Sequence, residues 1–214
     1  MTFLDGNVGL ILQGFWLTIQ LLVLSGICSI VLGTLLAAAR VSPVPLLRGA
    51  AVVYVSIFRN TPLLVVFIFV FIAGPRLGLN YPFLVKGVLA MTLYTSAFVA
   101  EALRSGINSV PVGQAEAARS IGLTFGQCMR EVVMPQALRA VIPPMASVLI
   151  AMAKNTSVAA AFGLAEATAT MRGLTNNNAN ERLMIFLVFA LGYIVIVELM
   201  SFAANRLERR WRVA

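Results

Sequence analysis

The sequence has no histidine and only two cysteines among its 214 residues. Without histidine there can be no His-ligated metal centre, no histidine general base and no histidine proton relay. Cys28 lies in an apolar run and Cys128 in a polar one, so free thiols are expected and not a disulfide. Charge is scarce as well, with Asp, Glu, Lys and Arg making up 11% of the chain. No G-x-x-x-x-G-K-[ST] loop is present, so any nucleotide chemistry must come from another chain. No nucleophile elbow or metal cluster is present either, which leaves a membrane-embedded enzyme without a catalytic set. The first basic residue is Arg40, so the charged start of a secretory signal peptide is missing.

What the chain has instead is apolar length. Hydrophobic residues are 60% of it and the mean hydropathy is +0.92. The long uncharged runs identify a polytopic membrane protein, since a span needs about 20 apolar residues. Residues 6–39 carry no charge at all; this run is longer than one span and shorter than two, so its first part is expected at the interface. Five spans follow, over about 15–38, 46–73, 81–103, 136–171 and 183–205, in a single transmembrane domain covering 1–214. The net charge of +8 fits cytoplasmic loops better than a nucleic-acid patch, because the basic residues are spread among loops. With the C-terminus inside, Arg40, Arg48, Arg104, Arg119, Arg130, Arg139, Arg206, Arg209, Arg210 and Arg212 face the cytoplasm. Arg76, Lys86, Arg172 and Arg182 face out. That asymmetry predicts an outside N-terminus and an inside C-terminus. In the first span Ser25, Ser29, Gly33 and Ala37 recur every four residues, a small-residue stripe suited to close helix packing or a chance feature of a Gly/Ala-rich helix. No duplicated halves are visible, so five spans look like half of a pathway that a second subunit completes.

Between the third and fourth spans lies a polar segment, about 104–135, predicted to be cytoplasmic. A turn at Pro111 and Gly113 leads into good helix formers, and Gly122 stands where a helix would end. Thr124 with Gln127 has the spacing of a capping box, and the second helix should stop near Pro135. Glu116 and Arg119 can pair along the first helix. Ala117 and Ala118 smooth one face, while Ile121, Leu123 and Phe125 gather at the corner. Two readings stand: a solvated interfacial loop, or a rigid knob that docks into another protein, which the apolar corner favours.

Charges inside the spans are Arg59, Lys154, Glu166 and Glu198, and such residues are expensive and often functional. Arg59, Asn60, Thr61 and Pro62 form one candidate for a route or gate, because Pro62 frees backbone groups. Lys154, Asn155, Thr156 and Ser157, with Glu166 beyond them, form the other. The competing reading is that Arg59 and Lys154 snorkel or pair with acids in the bundle. Glu198 is expected to reach the cytoplasmic interface.

The polar segment resembles the EAA motif of ABC importer permeases: Glu-Ala-Ala, three residues, Gly, nine residues, an aliphatic residue, one residue, then Leu-Pro. Here it reads Glu116-Ala117-Ala118, Gly122, Val132, Met134-Pro135. The chain is similar over nearly its whole length to permeases of the polar amino acid uptake family. "GFWLTIQLLVLS", "FRNTPLLVVFIFV", "AFVAEALRSGINSVPVGQAEAARSIG" and "KNTSVAAAFGLAEA" carry the likeness, with Asn60 replacing the family's Gly and Asn155 its Asp. "RNTPL", "LYTSAFVAEALRSGIN" and "KNTS" are nearest to glutamate-uptake permeases of actinobacterial type. The resemblance implies an all-α fold of the type I ABC importer permease, with five transmembrane helices and a cytoplasmic coupling helix, in a bacterial cytoplasmic membrane. It implies that Glu116, Ala117, Ala118, Arg119, Ser120, Ile121, Gly122, Leu123 and Phe125 seat in a groove on a partner ATPase, which binds the ATP and Mg. A dimer of that ATPase, a second permease subunit (a paralogue rather than a copy), an external substrate-binding protein and an amino acid are the implied partners, and no nucleic acid is. Glutamate or a related acidic amino acid is the implied cargo. Glutamine, a basic amino acid, or an autonomous ion-coupled carrier or channel are the alternatives.

Overall fold

In a computed structural model that describes residues 3–211, every regular element is helical. Arg212, counted above with the inside charges, lies outside the described residues. Helix α1, Phe3–Arg40, is unbroken, because it contains neither proline nor an interior charge. The expected interfacial start is therefore part of one helix, roughly 57 Å long at 1.5 Å per residue.

The second apolar run is not one straight span. Helix α2, Pro45–Asn60, and helix α3, Leu63–Arg76, meet at 107°. Pro62 causes the corner: its ring forces Thr61 out of the helical region, to φ −96° and ψ 132°. Helix α3 loosens into a π turn at Phe69–Ala73. It is held by ring contacts, with Phe67 stacked 5.4 Å and Phe71 tilted 5.2 Å from Phe162.

Helix α4, Phe83–Asn108, is the axis of the bundle. Half of its most apolar window is buried inside the fold, against 11% for the last helix. The small-residue stripe of α1 faces it. Ser25 and Ser29 are fully buried, and a Cβ on Gly33 would overlap the side chain of Val99 and lie 2.9 Å from the carbonyl of Ser96. The stripe is thus a packing seam within the chain.

Helix α5, Val112–Ser120, follows, then α6, Phe125–Phe162. The expected stop at Pro135 does not occur. A π turn over Cys128–Val133 absorbs the missing amide and the ring, and the helix continues through Pro135, Pro143 and Pro144. The second helix of the polar segment is therefore the foot of the fourth span. Helix α6 tightens to a 3-10 form over Thr156–Phe162 and ends at Gly163, φ 84°, where only glycine is unstrained. The run 136–171 is accordingly split, and α7, Ala167–Asn177, begins after it. Helix α8, Arg182–Trp211, closes the fold.

Four helices are long and apolar enough to cross a membrane, or five spans if the bent α2–α3 pair counts as one. The main core joins α1, α3, α4 and α6 through Leu21, Phe67, Met91 and Met152. A second core joins α1, α7 and α8 through Ile11, Leu174, Ile185 and Phe189.

Replacing Gly33 by Leu should wedge α1 from α4 and cost about 1–3 kcal/mol. The expected result is a lower melting temperature in detergent, whereas Gly9→Leu, with nothing near its Cβ, should melt like the native protein.

Candidate functional site: a protruding helix and a three-arginine cluster

The α5 unit is built from local rules. Helix α5 ends in a Schellman arrangement: the Leu123 amide donates to the Ala118 carbonyl at 3.2 Å and the Gly122 amide to Arg119 at 3.0 Å. Gly122 holds φ 91°, which makes the corner possible. Thr124 then restarts the chain with a complete capping box, its backbone amide donating to Gln127 Oε1 at 2.9 Å. Under the corner Ala118, Cys128 and Val133 are buried against Leu123, Val110 and Val132. The segment is thus rigid and carries its own small core.

Its outer surface is bare. Glu116, Ala117, Arg119 and Ser120 are exposed, and Ile121 and Phe125 keep 79% and 72% of their area open. Ala118 differs from the sequence expectation: it packs inward and supports the tip. No ion pair joins Glu116 to Arg119; among the described residues of this unit Arg130 pairs with Glu131, at 3.6 Å. Both charges of α5 therefore remain available to a partner.

A second feature lies at the end of α4 and was not singled out from the sequence. The carboxylate of Glu101 forms ion pairs with three arginines: Arg40 at 2.6 Å, Arg59 at 3.3 Å and Arg104 one helical turn away. Arg40 and Arg59 stand in the last turns of α1 and α2, where the helix dipole also favours a cation. Arg59 lies over the Phe98 ring, 5.9 Å from its centroid. Its expected neighbours Asn60 and Thr61 serve the corner. Their side chains donate to the carbonyls of Ser56 and Ile57, each at 2.8 Å, satisfying groups that the helix end leaves open.

The run at 154–157 divides between two cavities. Lys154 and Ser157 line one of about 310 Å³ with Thr168, Phe189 and Tyr193. Asn155 lines another of about 240 Å³ with Tyr94, Thr95, Phe98 and Ser147. Phe98 is thus the common neighbour of Arg59 and of the Asn155 cavity. Lys154 opens elsewhere. Thr156 is buried and donates to the Ala153 carbonyl at 2.7 Å, and Ser157 to that of Lys154 at 2.8 Å. A larger cavity of about 490 Å³ between α6 and α8 has only apolar lining residues and gives a zwitterion nothing to bind.

Glu166 is apart from both cavities and fully buried. Its Oε1 caps α7 by accepting from the Ala169 amide at 3.0 Å, and Oε2 accepts from the Tyr193 hydroxyl at 2.7 Å. The Thr18 hydroxyl lies 3.4 Å from Oε2 and itself accepts from the Ala167 amide at 3.0 Å. One carboxylate therefore ties α1, α7 and α8 together. Glu198 is exposed on α8.

A family model described as "Binding-protein-dependent transport system inner membrane component" matches residues 29–213. The glutamate transport system permease protein GluC of Corynebacterium efficiens is 44% identical over 95% of this chain and 94% of its own length. The probable glutamine ABC transporter permease protein GlnM of Bacillus subtilis is 36% identical over 98% and 97%. A crystal structure of an amino acid ABC transporter with histidines superposes with a TM-score of 0.90 at 29% identity, covering 98% of this chain and 99% of that one.

Tyr193→Phe removes the shortest bond to a buried carboxylate and should cost about 1–3 kcal/mol. Thermal unfolding in detergent measures this, with Tyr81→Phe, an exposed tyrosine, as the unaffected control.

Proposed function

Because this chain belongs to the family of binding-protein-dependent transport system inner membrane components, we propose that it is the permease subunit of an ATP-driven importer for an acidic amino acid, most simply glutamate. The observation that carries the reading is the α5 unit: a rigid base presents an apolar tip and two unpaired charges beyond the foot of the fourth span. An exposed apolar tip of this kind fits a groove on a partner. In this reading Glu116, Ala117, Arg119, Ser120, Ile121 and Phe125 seat on an ATPase subunit that holds ATP and Mg, while Gly122, Leu123 and Ala118 keep the tip rigid.

The cargo assignment rests on two supports. The GluC relative, which covers nearly the whole chain, is named for glutamate transport. The cationic surplus around Glu101 suits an anionic substrate. Arg59 to Pro62, Asn155 and the cavity beside Phe98 form the proposed route. Lys154, Thr156, Ser157 and Glu166 support the α6–α7 wall beside it. The second half of the pathway is a paralogous permease subunit, and an external binding protein delivers the amino acid. The N-terminus lies outside and the C-terminus inside the cytoplasmic membrane. GlnM, named for glutamine, keeps a glutamine importer as the second reading.

Two outcomes test this. Proteoliposomes holding this chain, its sister permease, the ATPase and the binding protein should accumulate labelled glutamate with ATP, and this chain alone should pass none. Flux through the lone chain would make it an autonomous carrier, and preferential uptake of glutamine would support the second reading. Ile121→Asp should weaken ATPase docking by about 2 kcal/mol, roughly 30-fold, read as co-purification of the ATPase, while membrane insertion is unchanged.

A further inference from the structure

Three guanidinium groups share one carboxylate at the end of α4, and their positions relate the two moving parts of the proposed function. Glu101 belongs to α4, which ends at Asn108 and leads through Ser109–Pro111 into α5 at Val112. A displacement of α5 is delivered to α4 first. Arg59 belongs to the last turn of α2, two residues before the corner at Thr61, where the chain turns by 107°. Arg40 ends α1. One side chain thus holds the ends of two other elements to the helix that carries α5.

The three bonds are unequal. Arg104 takes Oε1 alone, within the same helix. Arg40 and Arg59 share Oε2: Arg40 hydrogen-bonds it at 2.6 Å, and Arg59 makes an ion pair at 3.3 Å. Arg59 is also the most open of the three, with 43% of its side chain accessible against 18% for Arg40. Its second contact, the Phe98 face, lies on α4 as well. The α2 corner is therefore tied to α4 by the longest and most accessible arm of a carboxylate that three guanidinium groups share. An arm of that kind can be released and remade without leaving Glu101 unpaired, which an isolated buried pair could not do.

We propose that Glu101 is a positioning residue that couples α5 to the Thr61–Pro62 corner: it transmits movement of α4 to α2 by holding Arg59, and the corner opens when that arm lets go. The proposal rests on the permease reading above.

The test uses the whole complex in proteoliposomes, with L-glutamate as the probe, and reads the ratio of glutamate imported to ATP hydrolysed. Glu101→Gln should lower that ratio on the order of tenfold, with hydrolysis persisting but no longer raised by loaded binding protein. Arg59→Gln should lower it alike, and the double variant should be no worse than either alone, because both cut one link. Glu101→Asp, which keeps the charge, should recover part of the ratio. A purely structural role would reduce uptake and hydrolysis together and leave the ratio unchanged. An unchanged ratio in Glu101→Gln, or losses that multiply in the double variant, would overturn the proposal. If Glu101→Gln does not assemble, an unchanged ratio in Arg59→Gln overturns it by itself. A native complex that imports no glutamate sinks the cargo reading instead, and the ratio is then read with whichever amino acid stimulates hydrolysis. If none does, the permease reading and this proposal fall together.

Discussion

In a bilayer an unsatisfied backbone group has no water to turn to, and every departure from straight helix in this fold is arranged around that cost. At the α2–α3 corner Asn60 and Thr61 bond back to the carbonyls of Ser56 and Ile57. At the foot of the fourth span a π turn carries the chain past Pro135. Where α6 ends, Gly163 turns the chain and Glu166 caps α7 within four residues. Two of these breaks are repaired close by in sequence, while the third also draws on α1, whose Thr18 hydroxyl accepts from the Ala167 amide. The bundle therefore bends at a few fixed places.

The same constraint decides where polar side chains are free. Thr156, Ser157, Asn60 and Thr61 all direct a donor at a helix carbonyl, so their polarity is largely spent on the backbone. What remains for solvent or cargo is Arg59 over Phe98, Asn155 in the cavity that Phe98 also lines, and Lys154 in the cavity beside Tyr193. The proposed route uses the first two, between α4, the α2 corner and the wall of α6.

Much of this could be read from the residues. The apolar runs located the helices, since burial in lipid demands length and allows few charges. The polar segment was legible in detail, because Gly122, Thr124 and Gln127 act through contacts within a few residues of themselves. The failures have a common cause. Pro135 looked like a stop because local rules forbid proline in a helix, and a π turn is a rearrangement that local rules do not foresee. Glu166 stood out as an intramembrane carboxylate, but its neighbours in sequence do not reveal its partners, since Thr18 and Tyr193 are 148 and 27 residues away. Glu101 escaped notice because, in sequence, it is an ordinary Glu beside an Arg at a span end. Only the fold brings Arg40 and Arg59 to it.

The two carboxylates then show opposite uses of the same group. Glu166 is fully buried, has no ion-pair partner among the described residues, and has each oxygen matched to donors from fixed elements. Any displacement of α1, α7 or α8 breaks a bond that nothing else can replace, so this corner resists movement. Glu101 is one-fifth exposed, and its partners are three long guanidinium side chains, two of them about two-fifths open. Losing one arm there leaves others in place, and the freed guanidinium is open to water or to an anion. Burial and the kind of donor separate the two carboxylates, and the more open one lies on the helix that leads to α5.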